Sequence, residues 1–191
     1  MLEPWPDLER WCADAALADP DYWNAATLAT ADADGSPSAR VVLLKSCNRS
    51  GCEFFTHRHS RKARELDVRP RAALCLHWPH LGRQLRIEGA VAPVADARSD
   101  AYFATRDRAS QIGAWASQQS SELADRADLA ERIKASEAAT AGAPLHRPLF
   151  WGGYVVTPDH IEFWTSGEAR LHDRVDWFRT GDGWSRRALY P

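Results

Sequence analysis

The chain of 191 residues has no apolar run that approaches the roughly 20 residues of a membrane-spanning helix. Its first residues have neither the basic start nor the apolar stretch of a signal peptide, which predicts a cytoplasmic protein. A formal net charge of -2 gives no overall attraction to nucleic acid or membranes, so an anion would need a local cluster of cations. There is no Gly-x-Gly-x-x-Gly turn, which argues against a dinucleotide bound through its pyrophosphate.

Cysteine and histidine are sparse, with four and seven residues, and their spacing is typical of no metal site. Cys12, Cys47, Cys52 and Cys75 form no Cys-x-x-Cys pair and have no histidine at zinc-finger spacing. We therefore expect free thiols in a reducing compartment. The histidines suggest no shared ligand face, so we expect no metal site; those without an assigned role are His57, His59, His77, His80, His146 and His160.

Hydrophobic patterning and turn signals predict a mainly β protein that forms one domain over residues 1–191. The predicted helices cover residues 8–18, 61–69, 96–106 and about 122–139. The predicted strands cover residues 24–31, 38–46, 52–57, 72–78, 84–94, 152–157, 160–165, 170–178 and 184–189. Because strands follow one another through hairpins and helices are inserted without alternation, we expect an antiparallel barrel with attached helices.

The most informative stretch is residues 161–174, Ile-Glu-Phe-Trp-Thr-Ser-Gly-Glu-Ala-Arg-Leu-His-Asp-Arg. After a predicted strand and turn, Arg170, His172 and Arg174 recur at a spacing of two. In an extended strand such residues share one face, here beside Trp164. A row of cations repels itself unless an anion or an electron-rich ring lies against it. The alternative is a solvated, basic edge strand.

This stretch resembles the C-terminal signature of the pyridoxamine 5'-phosphate oxidase family, Phe-Trp-Gln-Gly-Gly, two variable residues, then Arg-Leu-His-Asp-Arg. Thr165 and Ser166 stand where the family usually has Gln and Gly. Earlier segments of the chain also resemble family motifs and occur in the same order as in the family. They are residues 40–45, 60–63, 83–84, 110–115 with 119–121, and 150–153. The resemblance covers residues 8–191. It implies an FMN-binding split β-barrel of antiparallel Greek-key type, with the C-terminal signature at about 150–191.

A cofactor phosphate would suit the predicted helix start at Ser60, where Arg61 and Lys62 add two cations to free backbone N–H groups. The alternative is an N-capped helix with solvated charges. Arg40 and Lys45 flank an apolar strand and are further candidates to bind an anion. The alternative is that their charged ends extend from the core strand into solvent. The resemblance implies that FMN is bound by Arg40, Val41, Val42, Leu43, Lys45, Phe55, Thr56, Arg61, Lys62, Gln84, Gln119, Ser120, Trp164 and Arg174.

A substrate phosphate would suit Tyr102, Arg106 and Ser110, whose spacing of four and four places them on one stripe of a helix. The pattern alone is also compatible with a surface helix. The resemblance implies that these residues and Lys45 bind the substrate phosphate. It also implies that Arg170 and His172 are the catalytic residues and bracket the reacting end of the substrate.

The function implied by the resemblance is FMN-dependent oxidation of pyridoxamine or pyridoxine 5'-phosphate by dioxygen, giving pyridoxal 5'-phosphate and hydrogen peroxide. Family members are homodimers with FMN at the subunit interface, so both chains are expected to contribute to each site. Two alternatives stay open: a related FMN-dependent oxidase of another substrate, as in phenazine pathways, and a flavin-binding protein without turnover.

Overall fold

The computed structural model describes residues 2–140, 142–181 and 183–191. Within these residues there are five α-helices: α1 (Trp5–Ala18), α2 (Arg61–Val68), α3 (Asp96–Thr105), α4 (Arg108–Ala116) and α5 (Arg126–Thr140). The nine strands described are β1 (Ala25–Ala31), β2 (Pro37–Leu43), β3 (Ser46–Asn48), β4 (Gly51–His57), β5 (Arg71–Trp78), β6 (Arg83–Pro93), β7 (Trp151–Thr165), β8 (Asp173–Thr180) and β9 (Gly183–Leu189).

All strand pairs are antiparallel, in the order β2-β1-β5-β6-β7-β4-β3, with β8 on β7 and β9 on β8. β7 organises the sheet because its first half pairs with β4 and its second half with β8, while β6 follows it along the other edge. The two strands predicted over residues 152–165 are therefore one strand. A bulge in β6 at Glu88 and Gly89 bends the pair. A Cβ on Gly89 would lie 2.0 Å from the Thr157 carbonyl oxygen, so only glycine allows this approach.

The hydrophobic core lies on the concave face of the sheet and is closed at one end by α1. Leu28, Leu74, Ile87 and Ile161 are almost completely buried there. Trp11 of α1 packs edge-on against Phe163 of β7, with ring centroids 5.0 Å apart. Since the core uses one face of β6, β7 and β8, the opposite face remains for polar side chains. No helix within the described residues is long and apolar enough to cross a membrane.

Two other segments differ from the prediction. α4 is an unpredicted helix, and its signal was available, because Asp107 caps it by accepting a hydrogen bond from the Ser110 N–H at 2.8 Å. The strand predicted from residue 170 begins only at Asp173, after a 3₁₀ turn (Glu168–Arg170) in which Arg170 has φ +64°. Arg170, His172 and Arg174 therefore do not form a row along one strand.

The expectation of free thiols is wrong for Cys47 and Cys52. They are directly opposite one another in the β3–β4 hairpin, with Cα atoms 4.0 Å apart, and their sulfurs form a disulfide. Cys12 and Cys75 are free, as expected. Burial, with a smaller contribution from Glu9, raises the pKa of the Cys12 thiol to about 11.

Candidate functional site

A cavity of about 670 Å³ opens between β4, the start of β7 and the break between α3 and α4. It brings together residues that are far apart in sequence and that were predicted to bind either cofactor or substrate. Those lining the cavity are Leu43, Lys45, Phe55, Thr56, Tyr102, Arg106, Ser110 and Gln119. The cavity thus joins the predicted substrate-phosphate residues to part of the predicted cofactor set.

One wall of the cavity is aromatic and holds two cations. Phe55, Tyr102 and Trp151 form a three-ring cluster, in which the Phe55 centroid is 4.3 Å from that of Tyr102 and 5.4 Å from that of Trp151. The Lys45 ammonium is 5.6 Å from the Tyr102 ring, and the Arg106 guanidinium is 4.9 Å from the Trp151 ring. These rings favour the cations at these positions while leaving their donors available to a ligand.

Arg106 is the most unusual of these cations. Its Nη1 is buried and has no hydrogen-bond partner within the described residues. Burial lowers the pKa of the guanidinium, which nevertheless stays charged. A buried donor without a partner is unfavourable. Arg106 also lines the cavity, where its positive charge would attract an anion.

The predicted helical stripe of Tyr102, Arg106 and Ser110 does not exist as such, since α3 ends at Thr105 and Ser110 lies on α4. The break at Arg106 nevertheless turns all three side chains into the same cavity.

A hydrogen-bond chain links the cavity to the start of α2. The Lys62 ammonium donates to Thr56 Oγ1 at 3.1 Å, and Thr56 Oγ1 donates to Gln119 Oε1 at 2.9 Å. Burial, reinforced by the nearby Arg40 charge, lowers the pKa of Lys62 to about 8. Ser60 occupies the N-cap position of α2 without a side-chain capping bond. Ser120 is exposed beside Gln119, with φ +70°.

Sequence reasoning missed the carboxylate at the predicted phosphate site. Glu65, buried on α2, accepts from Arg61 Nε at 2.7 Å and from Arg40 Nη2 at 3.1 Å. The hydroxyl groups of Thr30 and Ser38 also donate to it. Burial alone would raise the pKa of Glu65, but these four donors lower it to about 2. The signal in the sequence was the spacing of four between Arg61 and Glu65.

The remaining predicted residues of β2 divide between its two faces. Val42 is buried in the core, so its side chain is not available to a ligand. Val41 and Leu43 are exposed on this edge strand. The Arg40 side chain turns inward and pairs with Glu65. It does not extend into solvent from the end of the strand, which was the alternative interpretation.

His57 also lines the cavity and had no predicted role. It is buried at the end of β4 and stacks on Phe150, with ring centroids 4.7 Å apart. Burial, then the neighbouring His59 and Lys62 charges, lower the pKa of His57, so it is neutral at pH 7. Its position in the sequence, directly after the predicted Thr56, was the available signal.

The C-terminal signature forms a second group of predicted residues. Gln84, Trp164 and Arg174 lie side by side in one row across β6, β7 and β8. The His172 ring is 4.5 Å from the Trp164 ring, and its Nδ1 accepts the Gly167 N–H at 3.2 Å. A hydrogen bond to Glu162 raises the pKa of Arg174. Arg170 is exposed in the adjoining turn.

The two groups lie near opposite ends of β7. Trp151 lines the cavity and Trp164 is thirteen residues further along the same strand, which corresponds to roughly 40 Å of strand. Within a single chain, neither Arg170 nor His172 lines the cavity that contains Lys45 and Arg106.

A curled antiparallel sheet with this strand order and a cation-lined cavity defines the class of FMN-binding split-barrel proteins. A solved structure of a pyridoxamine 5'-phosphate oxidase-related, FMN binding protein from Nostoc punctiforme PCC 73102 has this fold. It matches with a TM-score of 0.79 over 100% of both chains at 17% identity, which shows the fold alone.

Family models identify the chain more closely. The pyridoxamine 5'-phosphate oxidase model matches residues 14–138, and the pyridoxine 5'-phosphate oxidase C-terminal dimerisation region matches residues 151–191. The chain belongs to the pyridoxamine 5'-phosphate oxidase family. This confirms the family predicted from the sequence, its split-barrel fold and its class, an oxidase with FMN as cofactor.

Individual relatives agree with this assignment. The chain is 56% identical to a pyridoxine/pyridoxamine 5'-phosphate oxidase of Anaeromyxobacter dehalogenans, over 94% of this chain and 90% of the relative. A protein of the same name from Sphingopyxis alaskensis is 49% identical over 99% and 88%. The crystal structure of PhzG from Burkholderia lata 383, in complex with tetrahydrophenazine-1-carboxylic acid, matches with a TM-score of 0.91 at 36% identity, over 96% and 90%.

Proposed function

We propose that this chain oxidises pyridoxamine or pyridoxine 5'-phosphate with dioxygen to pyridoxal 5'-phosphate and hydrogen peroxide. The alcohol and dioxygen give the aldehyde and peroxide, and the amine additionally consumes water and releases ammonia. The observation that carries the proposal is the cavity that Arg106 shares with Lys45, Tyr102 and Ser110, in which the Arg106 guanidinium has no carboxylate partner among the described residues. Two cations and two hydroxyl groups in one cavity fit a phosphate monoester.

The substrate phosphate would lie against Arg106 and Lys45, with the Tyr102 and Ser110 hydroxyls as further donors. The cavity volume of about 670 Å³ is typical of a small-molecule site. The aromatic wall of Phe55 and Trp151 offers an apolar surface beside these donors. Holding the phosphate fixes one end of the substrate, so the reacting carbon is presented in one orientation.

The residues at the start of α2 fit the phosphate of FMN. Arg61 and Lys62 provide two cations beside the free backbone N–H groups of the helix start. Arg61 is bonded to Glu65 through Nε, and its side chain is 58% exposed, which leaves its terminal nitrogens available. Gln119 and Thr56 connect this position to the cavity.

Bound FMN would supply the redox chemistry, which is uptake of a hydride from the substrate carbon that becomes the aldehyde and transfer of the electrons to dioxygen. Arg170 and His172 are proposed to contact the reacting end of the substrate. Because the Gly167 N–H donates to Nδ1 of His172, Nδ1 is an acceptor and Nε2 is the ring nitrogen that presents a donor. Arg174, in the row with Gln84 and Trp164, is proposed to contact the flavin edge where negative charge develops on reduction.

We infer that the enzyme is a homodimer of single-domain chains (residues 1–191), in which Arg170 and His172 of one copy complete the cavity of the other. The separation of the two groups along β7 supports this arrangement. So does the match of residues 151–191 to a dimerisation region.

The function is tested by the pigment and by the products. Acid release of the bound pigment should give FMN, and peroxide release should be rapid with the phosphorylated vitamers but slow with free pyridoxine or pyridoxamine. Turnover of a reduced phenazine carboxylic acid in place of the vitamers would favour the alternative suggested by the likeness to PhzG. Bound flavin without peroxide from any of these compounds would indicate a flavin-binding protein.

The shared site is tested with mixed dimers. Arg106→Met alters the cavity and Arg170→Ala alters the C-terminal group, so each homodimer should be nearly inactive at low substrate. Co-expression in equal amounts should restore about a quarter of the parent activity, because half of the random dimers contain one intact composite site. If each site lay within one chain, the mixed population would remain inactive.

A further inference from the structure

A charged layer lies on the convex face of the sheet, opposite the hydrophobic core. Residues directly opposite in antiparallel strands share a face, so Arg86, Glu162 and Asp176 form a row across β6, β7 and β8. This row is adjacent to the row of Gln84, Trp164 and Arg174 that is proposed to face the flavin. Glu162 is at its centre and is only 4% exposed, which is unusual for a carboxylate outside the core.

Both oxygens of Glu162 are occupied by guanidinium groups. Oε1 accepts from Arg174 Nε at 2.7 Å, and Oε2 accepts from Arg86 Nη1 at 2.9 Å. Arg174 is held a second time, since its Nη1 donates to the Tyr190 carbonyl at 3.1 Å. Among the described residues, Nη2 is therefore the nitrogen of Arg174 that has no partner in its own chain.

We propose that Glu162 is a positioning residue. It holds the Arg174 guanidinium so that Nη2 points to the flavin ring of the cofactor. The inference rests on the proposed function, in which Arg174 contacts FMN. A free arginine side chain samples many rotamers, and ordering it opposes binding. Fixing two of its three nitrogens in advance removes that cost from the binding step.

The charge arrangement supports a positioning role. Arg86 and Arg174 project from strands on either side of β7, and their guanidinium groups bind the two oxygens of the same carboxylate. Without the Glu162 carboxylate the two cations would repel each other, and Arg174 would turn toward solvent. The adjacent Glu88 accepts from Arg86 at 2.8 Å but does not contact Arg174, so it provides a matched control.

The sign of the change in flavin reduction potential distinguishes positioning from a direct charge effect. A fixed Arg174 stabilises the negative charge of reduced flavin, so displacing it should lower the potential. If Glu162 acted only through its own charge, its removal should instead raise the potential, because a negative charge near the flavin disfavours reduction.

The experiment compares Glu162→Ala, Arg174→Ala, the double variant and Glu88→Gln in the FMN-loaded protein. Flavin fluorescence titration gives the FMN dissociation constant, and redox titration gives the potential. Each single change at 162 or 174 should weaken FMN binding by about tenfold or more, as for loss of a charge-assisted hydrogen bond, and lower the potential. The double variant should match Arg174→Ala alone, and Glu88→Gln should match the parent.

Additive losses in the double variant, or a raised potential in Glu162→Ala, would overturn the positioning role while leaving Arg174 at the cofactor. If Arg174→Ala changed neither quantity, both the placement of Arg174 and this inference would be wrong. Should Glu162→Ala not fold, Glu162→Gln replaces it. The amide of that variant would keep an oxygen acceptor for Arg174 Nε, so the expected losses have the same sign but are smaller.

Discussion

Replacing Arg106 by methionine should weaken binding of the phosphorylated substrate without destabilising the ligand-free protein. The guanidinium has a buried Nη1 with no partner in the described residues, and it rests on the Trp151 ring. Methionine keeps the aliphatic part of this packing and removes both the charge and the unsatisfied donor. Binding and stability should therefore respond in different directions.

The magnitudes follow from the two environments of the guanidinium. A lost charge-assisted hydrogen bond to the substrate phosphate corresponds to about 1.5–3 kcal/mol, or a rise in KM of about 10- to 150-fold. In the ligand-free protein, an unsatisfied buried donor costs about 1–3 kcal/mol, against about 0.5–2 kcal/mol for the cation–π contact. A net gain of about 1 kcal/mol would raise Tm by about 2–4 °C.

The assay is initial-rate peroxide release, with KM and kcat measured for pyridoxine 5'-phosphate and for free pyridoxine, together with calorimetry of the ligand-free protein. Arg108→Met is the matched control, because Arg108 donates to the Ala143 carbonyl and to Thr140 outside the cavity. The reasoning is refuted if Arg106→Met leaves KM for the phosphate ester unchanged. An equal loss for free pyridoxine would also refute it.

Three further results are expected. FMN affinity should fall as the pH rises through about 8, where Lys62 loses its proton, and Lys62→Met should bind FMN more weakly with a flatter pH profile between 7 and 9. Glu65→Gln should lower the free energy of unfolding, as measured with urea, and the loss should be largest above pH 4.5, the ordinary carboxyl pKa. Because folding lowers the pKa of Glu65 to about 2, the difference from the parent should disappear as the pH falls to about 2. Nitrogen NMR of His172 should show Nδ1 without a proton and Nε2 with one, and a proton on Nδ1 would contradict the Gly167 hydrogen bond.

Most of the strands could be predicted to within a few residues, because alternating burial and turn signals are local properties of the chain. β1, for example, was expected over residues 24–31 and is formed by Ala25–Ala31. The Cys47–Cys52 pair was also within reach of the sequence. A four-residue turn at residues 48–51 places those cysteines opposite each other once the hairpin is accepted.

The C-terminal turn could not be predicted from alternation, because its conformation depends on a non-local approach. A Cβ on Gly167 would lie 1.9 Å from the Leu171 carbonyl oxygen, so the loop closes tightly only with glycine there. Ala169 and Arg170 then take positive φ, which spacing of side chains does not reveal.

The pairing of charged residues across the sheet could not be predicted from the sequence either. That Glu162 lies between Arg86 and Arg174 depends on the register of β6, β7 and β8, and the β6 register shifts at the bulge beside Gly89. A displacement of one residue would turn each of these side chains to the other face. Family motifs predicted which cations bind the cofactor and the substrate, but they gave no indication of the carboxylates that hold Arg61 and Arg174.

The two arginines proposed for the cofactor are supported differently from the cations proposed for the substrate. Arg61 and Arg174 are each fixed by a buried carboxylate, Glu65 and Glu162. Within the described residues, Lys45 and Arg106 form no ion pair and rest on aromatic rings. A carboxylate paired with an arginine offsets part of the attraction of that arginine for an anion, but it fixes the position of the guanidinium. This suits a cofactor that stays bound through every turnover. Uncompensated cations gain most from an arriving phosphate. Lys45 and Arg106 therefore suit a ligand that must be captured from dilute solution.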